Sequence, residues 1–231
     1  MRHARIASLV ICVLTVVAAA SPAGASLFQT FNVVYGPEDV PDAGTTVTLP
    51  QFDETTFGTL LGVKLTLDAT ASAGAITWDN ESTQVTDVDL GIGGEVTATA
   101  PSALTLIATP LQMGSGVGIA ADEAVEIPDP DFAGPDSFTV TGGTGADDDS
   151  ATLTNPALFG PYIGVGTFNV DISSIVKTYV LTSGGTGDTQ STAGKTSGVV
   201  TVQYEYVPEP ATLALLGLGG LGVLIRRRSS K

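Results

Sequence analysis

Apolar and polar residues alternate with period two in one segment after another. Leu61, Val63, Leu65 and Leu67 interleave with Gly62, Lys64, Thr66 and Asp68. Successive strand side chains point to opposite faces, so this pattern predicts a strand with one buried and one wet face. Val200, Val202, Tyr204 and Tyr206 repeat it against Val199, Thr201, Gln203 and Glu205. Val96 with Ala98, Leu104 with Leu106, Phe138 with Val140, and Phe168 with Val170 and Ile172 predict shorter strands. Residues 27–35 are apolar on both faces, which suits a central strand or one covered by a loop. Helix is scarce: residues 173–178 and 122–125 offer one turn each, too short for a typical helix. About ten strands separated by Gly, Pro and Asp predict an all-β fold, a two-sheet antiparallel sandwich that is jelly-roll-like. Three connections stand out. Residues 128–136 form a Pro-stiffened acidic loop, and residues 141–150 a Gly-rich loop closing on Asp147-Asp148-Asp149. Residues 182–198 are almost wholly Gly, Ser and Thr and predict a mobile link.

The two ends break this pattern. Arg2 and Arg5 precede an apolar stretch from Ile6 to Ala20, then Ser21-Pro22 and Ala23-Gly24-Ala25. A basic start, a short apolar run and an A-x-A site predict a signal peptide over 1–25, cleaved after Ala25. At the other end residues 213–225 are apolar or Gly, and Arg226-Arg227-Arg228 follow at once. These thirteen residues would span roughly 20 Å as a helix, against about 30 Å of bilayer hydrocarbon. The three arginines would stay cytoplasmic and place the rest of the chain outside. The organisation expected is a signal at 1–25, an ectodomain at 26–207 and a tail at 208–231.

Val207-Pro208-Glu209-Pro210-Ala211-Thr212, the Gly/Leu-rich run and Arg226 to Arg228 together resemble a PEP-CTERM sorting signal. The resemblance implies a partner, exosortase, a membrane-embedded processing enzyme. It also implies export, processing near Pro208, Glu209 and Pro210, and a final place at the outer surface or in the extracellular matrix. Such proteins occur in Gram-negative bacteria that make extracellular polysaccharide. Within the body, Leu49-Pro50-Gln51-Phe52-Asp53 and the segment from Phe57 to Leu67 resemble the opening of a choice-of-anchor E domain. Residues 198–206 resemble its closing strand. That likeness implies a mode of delivery and a fold, and no functional residue.

Charge narrows the partners. Residues 26–207 hold 23 acidic residues against Lys64, Lys177 and Lys195, an excess of 20 negative charges. Such a surface repels nucleic acid and anionic headgroups, and it favours solubility and divalent cations. His3 and Cys12 are the only residues of their kinds, both inside the predicted signal. The body therefore lacks the usual base of a nucleophilic triad, the usual zinc ligands and any disulfide.

The remaining candidates are modest. Ser173 and Ser174 with Lys177 give an S-x-x-K spacing that is common by chance. Gly194-Lys195-Thr196 lacks the upstream glycine of a phosphate-binding loop. Gly114, Gly116 and Gly118 read as a turn. A pair among so many carboxylates would serve a glycosidase, but nothing singles one out. Calcium takes six to eight oxygens, and its candidate ligands are Asp129, Asp131 and Asp136 in one loop and Asp147, Asp148 and Asp149 in another. Asp79, Asn80, Glu81, Asp87 and Asp89 make a third acidic group; solvated loops are the plainer reading of all three. For sugar stacking the candidates are Trp78, amid polar neighbours, and Tyr162. The sequence thus predicts a non-enzymatic structural or interaction module at the cell surface or in the matrix, with no firm cofactor. The alternative is a calcium-assisted module that binds carbohydrate, and a glycosidase-like enzyme comes third.

Overall fold

The computed structural model describes residues 26–122 and 130–208. Its strands are β1 (Leu27–Asp39), β2 (Asp42–Pro50), β3 (Thr59–Ser72), β4 (Ala75–Asn80), β5 (Thr86–Ala100), β6 (Leu104–Ala108), β7 (Leu111–Ile119), β8 (Ser137–Thr141), β9 (Thr144–Leu153), β10 (Thr167–Thr182), β11 (Gly187–Thr192) and β12 (Lys195–Val207). A first sheet has the order β1-β12-β3-β9. A second has β2-β10-β5-β6, with β7 also paired to β5. A third, smaller sheet has the order β11-β4-β8. Every strand pair is antiparallel. The chain is an all-β sandwich, as its alternation predicts.

The third sheet continues the first across a bend. β3 resumes as β4 after residues 73–74, β8 leads into β9 through residues 142–143, and β11 leads into β12 through residues 193–194. The neighbour order of β12, β3 and β9 therefore repeats as β11, β4 and β8. Small residues make the bend possible. A Cβ on Gly194 would run into the carbonyl oxygen of Ser72 and the backbone nitrogen of Gly74, so only glycine lets these strands approach.

Two cores follow from this geometry. The larger lies between the first sheet and one half of the second. It holds Val63, Leu65, Leu67, Val200, Val202, Tyr204, Val96, Val170 and Ile172. An aromatic group closes one end, with Phe52 packed 5.4 Å from Tyr204 and 5.1 Å from Tyr206, ring centre to ring centre. The smaller core lies between the third sheet and the other half of β5: Ile76, Trp78, Val88, Leu90, Ile92, Ile119 and Val140. β5 spans both cores, and its 15 residues give the length to do so.

Several expectations need correction. β1 is an edge strand, with Phe28 and Val34 exposed on its outer face, so its two-sided apolarity does not mark a central or covered position. Leu61 is exposed and Leu60 buried, because the register against β12 slips between Glu205 and Tyr206. A one-residue bulge inverts the alternation beyond it. Residues 173–178 lie inside β10 and form no helical turn. The described helices are short: Glu54–Phe57, capped by Asp53, and the 3₁₀ turns Pro156–Leu158 and Gly160–Tyr162. The Gly-rich stretch ending in three aspartates is mostly β9, and much of the Ser/Thr-rich stretch is β11 and the start of β12. Gly114 and Gly116 sit within β7 and are not a turn. A Cβ there would come 2.6 Å from Val140 Cγ2 and 2.7 Å from Phe138 Cγ, so both glycines make room for β8. The turn expected over 122–125 falls largely outside the described residues.

Candidate functional site

The acidic runs resolve into two different arrangements. On β9, alternate residues Asp147 and Asp149 face β6, the edge of the opposing sheet. The backbone N–H of Ile107 donates to Asp149 Oδ2 at 2.9 Å, and that of Thr109 donates to Asp147 Oδ2 at 2.6 Å. Those N–H groups have no strand beside them, so the carboxylates replace a missing ladder. Inward-pointing charge of this kind closes a sandwich edge against further strand addition. Asp148, between them, stands opposite Asp68 on the outer face. The three aspartates are therefore not gathered as one calcium shell.

The second arrangement joins the acidic loop to β4. Asp79 and Asp136 are almost completely buried, at 2% and 1% exposure. Asp79 Oδ2 accepts from the Phe132 N–H at 3.0 Å, and the Asn80 N–H donates to the Asp136 carbonyl at 3.0 Å. Asp131 accepts from its own loop, at the Ala133 N–H. Burial raises the Asp79 carboxyl above the usual carboxylate range, and the negative charges of Asp136 and Asp131 push the same way. Loop spacing pointed to Asp131 and Asp136; it did not supply Asp79, which arrives only by strand pairing. Asp129 lies outside the described residues. Among the described residues, no three acidic side chains stand as a ready-made metal shell.

Neither proposed stacking ring is available. Trp78 is buried in the smaller core, and Tyr162 is fully buried with its hydroxyl donating to the Pro101 carbonyl at 2.7 Å. Burial drives the Tyr162 hydroxyl up to about 12. Both are core anchors, and neither offers a face to a sugar. Lys177 forms an ion pair with Glu95 at 2.8 Å, and the Ser174 hydroxyl is buried against Thr196, so no Ser–Lys pair forms.

A site that the sequence reading missed lies on the outer face of the first sheet. Phe28, Glu205 and Gly62 fall on one rung across β1, β12 and β3. Thr30, Gln203, Lys64 and Thr152 fall on the next, which extends to β9. Gly62 contributes no side chain, so a shallow groove of about 190 Å³ opens, lined by Phe28, Gly62, Lys64, Thr152, Gln203 and Glu205. Phe28 is 48% exposed at its rim. An aromatic face beside a carboxylate, an amide and an ammonium group can stack on and hydrogen-bond a polar ring. The wet face of the clearest alternating strands carried the signal, but register was needed to see it.

The predicted signal with Ala23 and Ala25, and the tail with Glu209, Pro210, Arg226, Arg227 and Arg228, lie outside the described residues. Among the described residues no helix is long and apolar enough to cross a membrane. Pro208 directly follows β12.

No match to a curated protein is found. Solved structures give distant likenesses. One is to infectious bursal disease virus, Gx strain, at 12% identity and a TM-score of 0.21, covering 88% of this chain. This chain spans about half of that one, 47%. Another is to turnip yellow mosaic virus, also at 12% identity, with a TM-score of 0.17, covering 88% of this chain and 93% of the viral one. Similarity this low carries no functional argument. The family comparison is specific: residues 207–228 match the PEP-CTERM protein-sorting motif. From the last residue of β12 onward the chain thus carries a sorting motif that implies exosortase-dependent export and a surface or matrix destination.

Proposed function

We propose that this protein is a non-enzymatic module of the cell surface or extracellular matrix, exported through a cleaved signal and processed at its tail by an exosortase-type enzyme. The observation that carries this reading is the junction at residue 207. The last residue of β12 is also the first of the sorting motif, so a folded sandwich is coupled to its delivery signal without a spacer. We also read the likeness of residues 49–53, 57–67 and 198–206 to a choice-of-anchor E domain as fitting the same mode of delivery. The absence of His and Cys from residues 26–207 supports a role other than nucleophilic catalysis. The single carboxylate of the outer groove, Glu205, argues against a two-carboxylate glycosidase there. The test is fractionation of producing cells. The wild-type chain should be found at the outer surface or in the medium. A chain with Pro208, Glu209 and Pro210 replaced by alanine should stay with the inner membrane, and equal distribution of the two would count against the reading.

A second reading is favoured by the groove at Phe28: the module binds carbohydrate, and its natural ligand is the producer's own exopolysaccharide. Co-sedimentation with that polysaccharide, with and without a calcium chelator, tests it. Binding that falls at least tenfold in Phe28→Ala supports the groove. Binding unaffected by that change places the contact elsewhere, and no binding in either condition removes the carbohydrate reading.

A further inference from the structure

Two carboxylates are buried where the acidic loop meets the end of β4, and each has an oxygen to spare. Asp79 Oδ1 and Asp136 Oδ1 are both shielded from solvent and lack any hydrogen-bond partner. One oxygen of Asp79 is used, by the Phe132 N–H. A buried carboxylate oxygen that has lost water and gained nothing is costly, and a second negative charge beside it adds to the cost. The described residues supply no counter-charge. Their basic side chains are Lys64, Lys177 and Lys195. Lys177 is paired with Glu95 and Lys195 with Asp39, while Lys64 lines the groove of the first sheet. Among the described residues nothing offsets these charges, and a proton or a cation from solution would do so.

A single proton, even one shared between the two carboxylates, would neutralise only one of the negative charges gathered here. The structure presents two orphan oxygens on two residues, with the carboxylate of Asp131 adding to the negative field. We propose that a divalent hard cation, calcium by preference, binds between Asp79 and Asp136 and pins the loop at 130–136 to the end of β4. The chemistry suits calcium. It takes carboxylate, carbonyl and water oxygens in flexible geometry, whereas magnesium demands a near-octahedral shell that an irregular loop does not provide. Asp131, Ala133, Gly134 and Pro135, in the same loop as Asp136, are exposed, so the loop that carries the site borders solvent. The inference stands apart from the sorting and carbohydrate readings, because its residues touch neither the tail nor the outer groove.

Trp78, the only tryptophan of the chain, adjoins Asp79 and provides the readout. Terbium bound between Asp79 and Asp136 should emit when tryptophan is excited. The experiment uses the full chain, stripped with chelator at neutral pH, and follows terbium emission, its displacement by calcium, and thermal melting. Expected are sensitised emission that calcium displaces and a Tm rise of several degrees, complete by roughly millimolar calcium as in extracellular modules. Asp79→Asn and Asp136→Asn should each abolish both responses. The amide oxygen introduced by Asp79→Asn still accepts from the Phe132 N–H, so folding should survive, and circular dichroism checks it. The double change Asp147→Asn with Asp149→Asn should leave both responses intact. Equilibrium dialysis of the unmodified chain against radioactive calcium gives an independent count, expected to be at least one ion held against low-millimolar competition by magnesium. No emission and no melting shift, zero ions on dialysis, or responses that survive both single changes would overturn the proposal.

Discussion

Single residues account for features that composition misreads. Asp147 and Asp149 look like solvated loop charge, yet they accept the backbone N–H groups of Ile107 in β6 and of Thr109 just past its end, and close the sandwich edge. Hydrogen bonds to charged acceptors contribute about 1.5–3 kcal/mol when sheltered and less when exposed. Replacing both by alanine should cost about 1–2 kcal/mol in urea unfolding. The freed edge should also increase self-association, measurable by light scattering. Asp148→Ala should cost nothing, because it removes a like charge facing Asp68. Asp79 gives a pH prediction. Its carboxyl is raised in the folded chain, so between its unfolded and folded values the native state holds more protons. In chelator, stability should therefore fall as pH rises through that window, because burial first, and then the charges of Asp136 and Asp131, oppose ionisation. Asp79→Asn should flatten the slope in pH-dependent denaturation, and an unchanged slope would show that Asp79 is not its source.

At the scale of elements, the alternation made the strongly amphipathic strands legible. The inward faces of β3 at Val63, Leu65 and Leu67 and of β12 at Val200 to Tyr206 are buried as the period-two pattern requires. Elements fixed by pairing were not legible. Every residue of β11 is exposed, and its Gly-Asp-Thr-Gln-Ser-Thr sequence has no apolar face; it is a strand because β4 lies beside it. β9 likewise owes its form to β3, against which ten residues pair. Trp78 misled because its polar neighbours Asp79 and Asn80 are also buried, around hydrogen bonds that only the tertiary structure supplies. The outer groove was hidden for a similar reason: Phe28, Gly62 and Glu205 are far apart in sequence and meet only through strand register. The glycines of β7 offer a test of this level. Gly116→Ala would drive a Cβ into Phe138 and Ile119, as overpacking does, and should cost about 1–3 kcal/mol. Hydrogen exchange should show the loss concentrated in β8, β4 and β7, with the larger core less affected. A uniform change across both cores would contradict the division between them.

For the whole molecule, the bent first sheet and the long strand β5 tie two cores into one sandwich that holds no disulfide within residues 26–207. The excess of negative charge on that stretch favours solubility and repels other polyanions, in keeping with a surface or extracellular destination. Delivery was the part of function most legible in the sequence, because a sorting signal is a linear motif read without a fold. What the body contacts was not legible, because the groove and the buried carboxylate pair are products of register. The most direct test of the central claim is the intact mass of the protein recovered from the surface or medium of producing cells. The account predicts a chain lacking the signal and shortened near Pro208 to Pro210, with the apolar run and the three arginines removed. A recovered chain that still ends at Lys231 would contradict it.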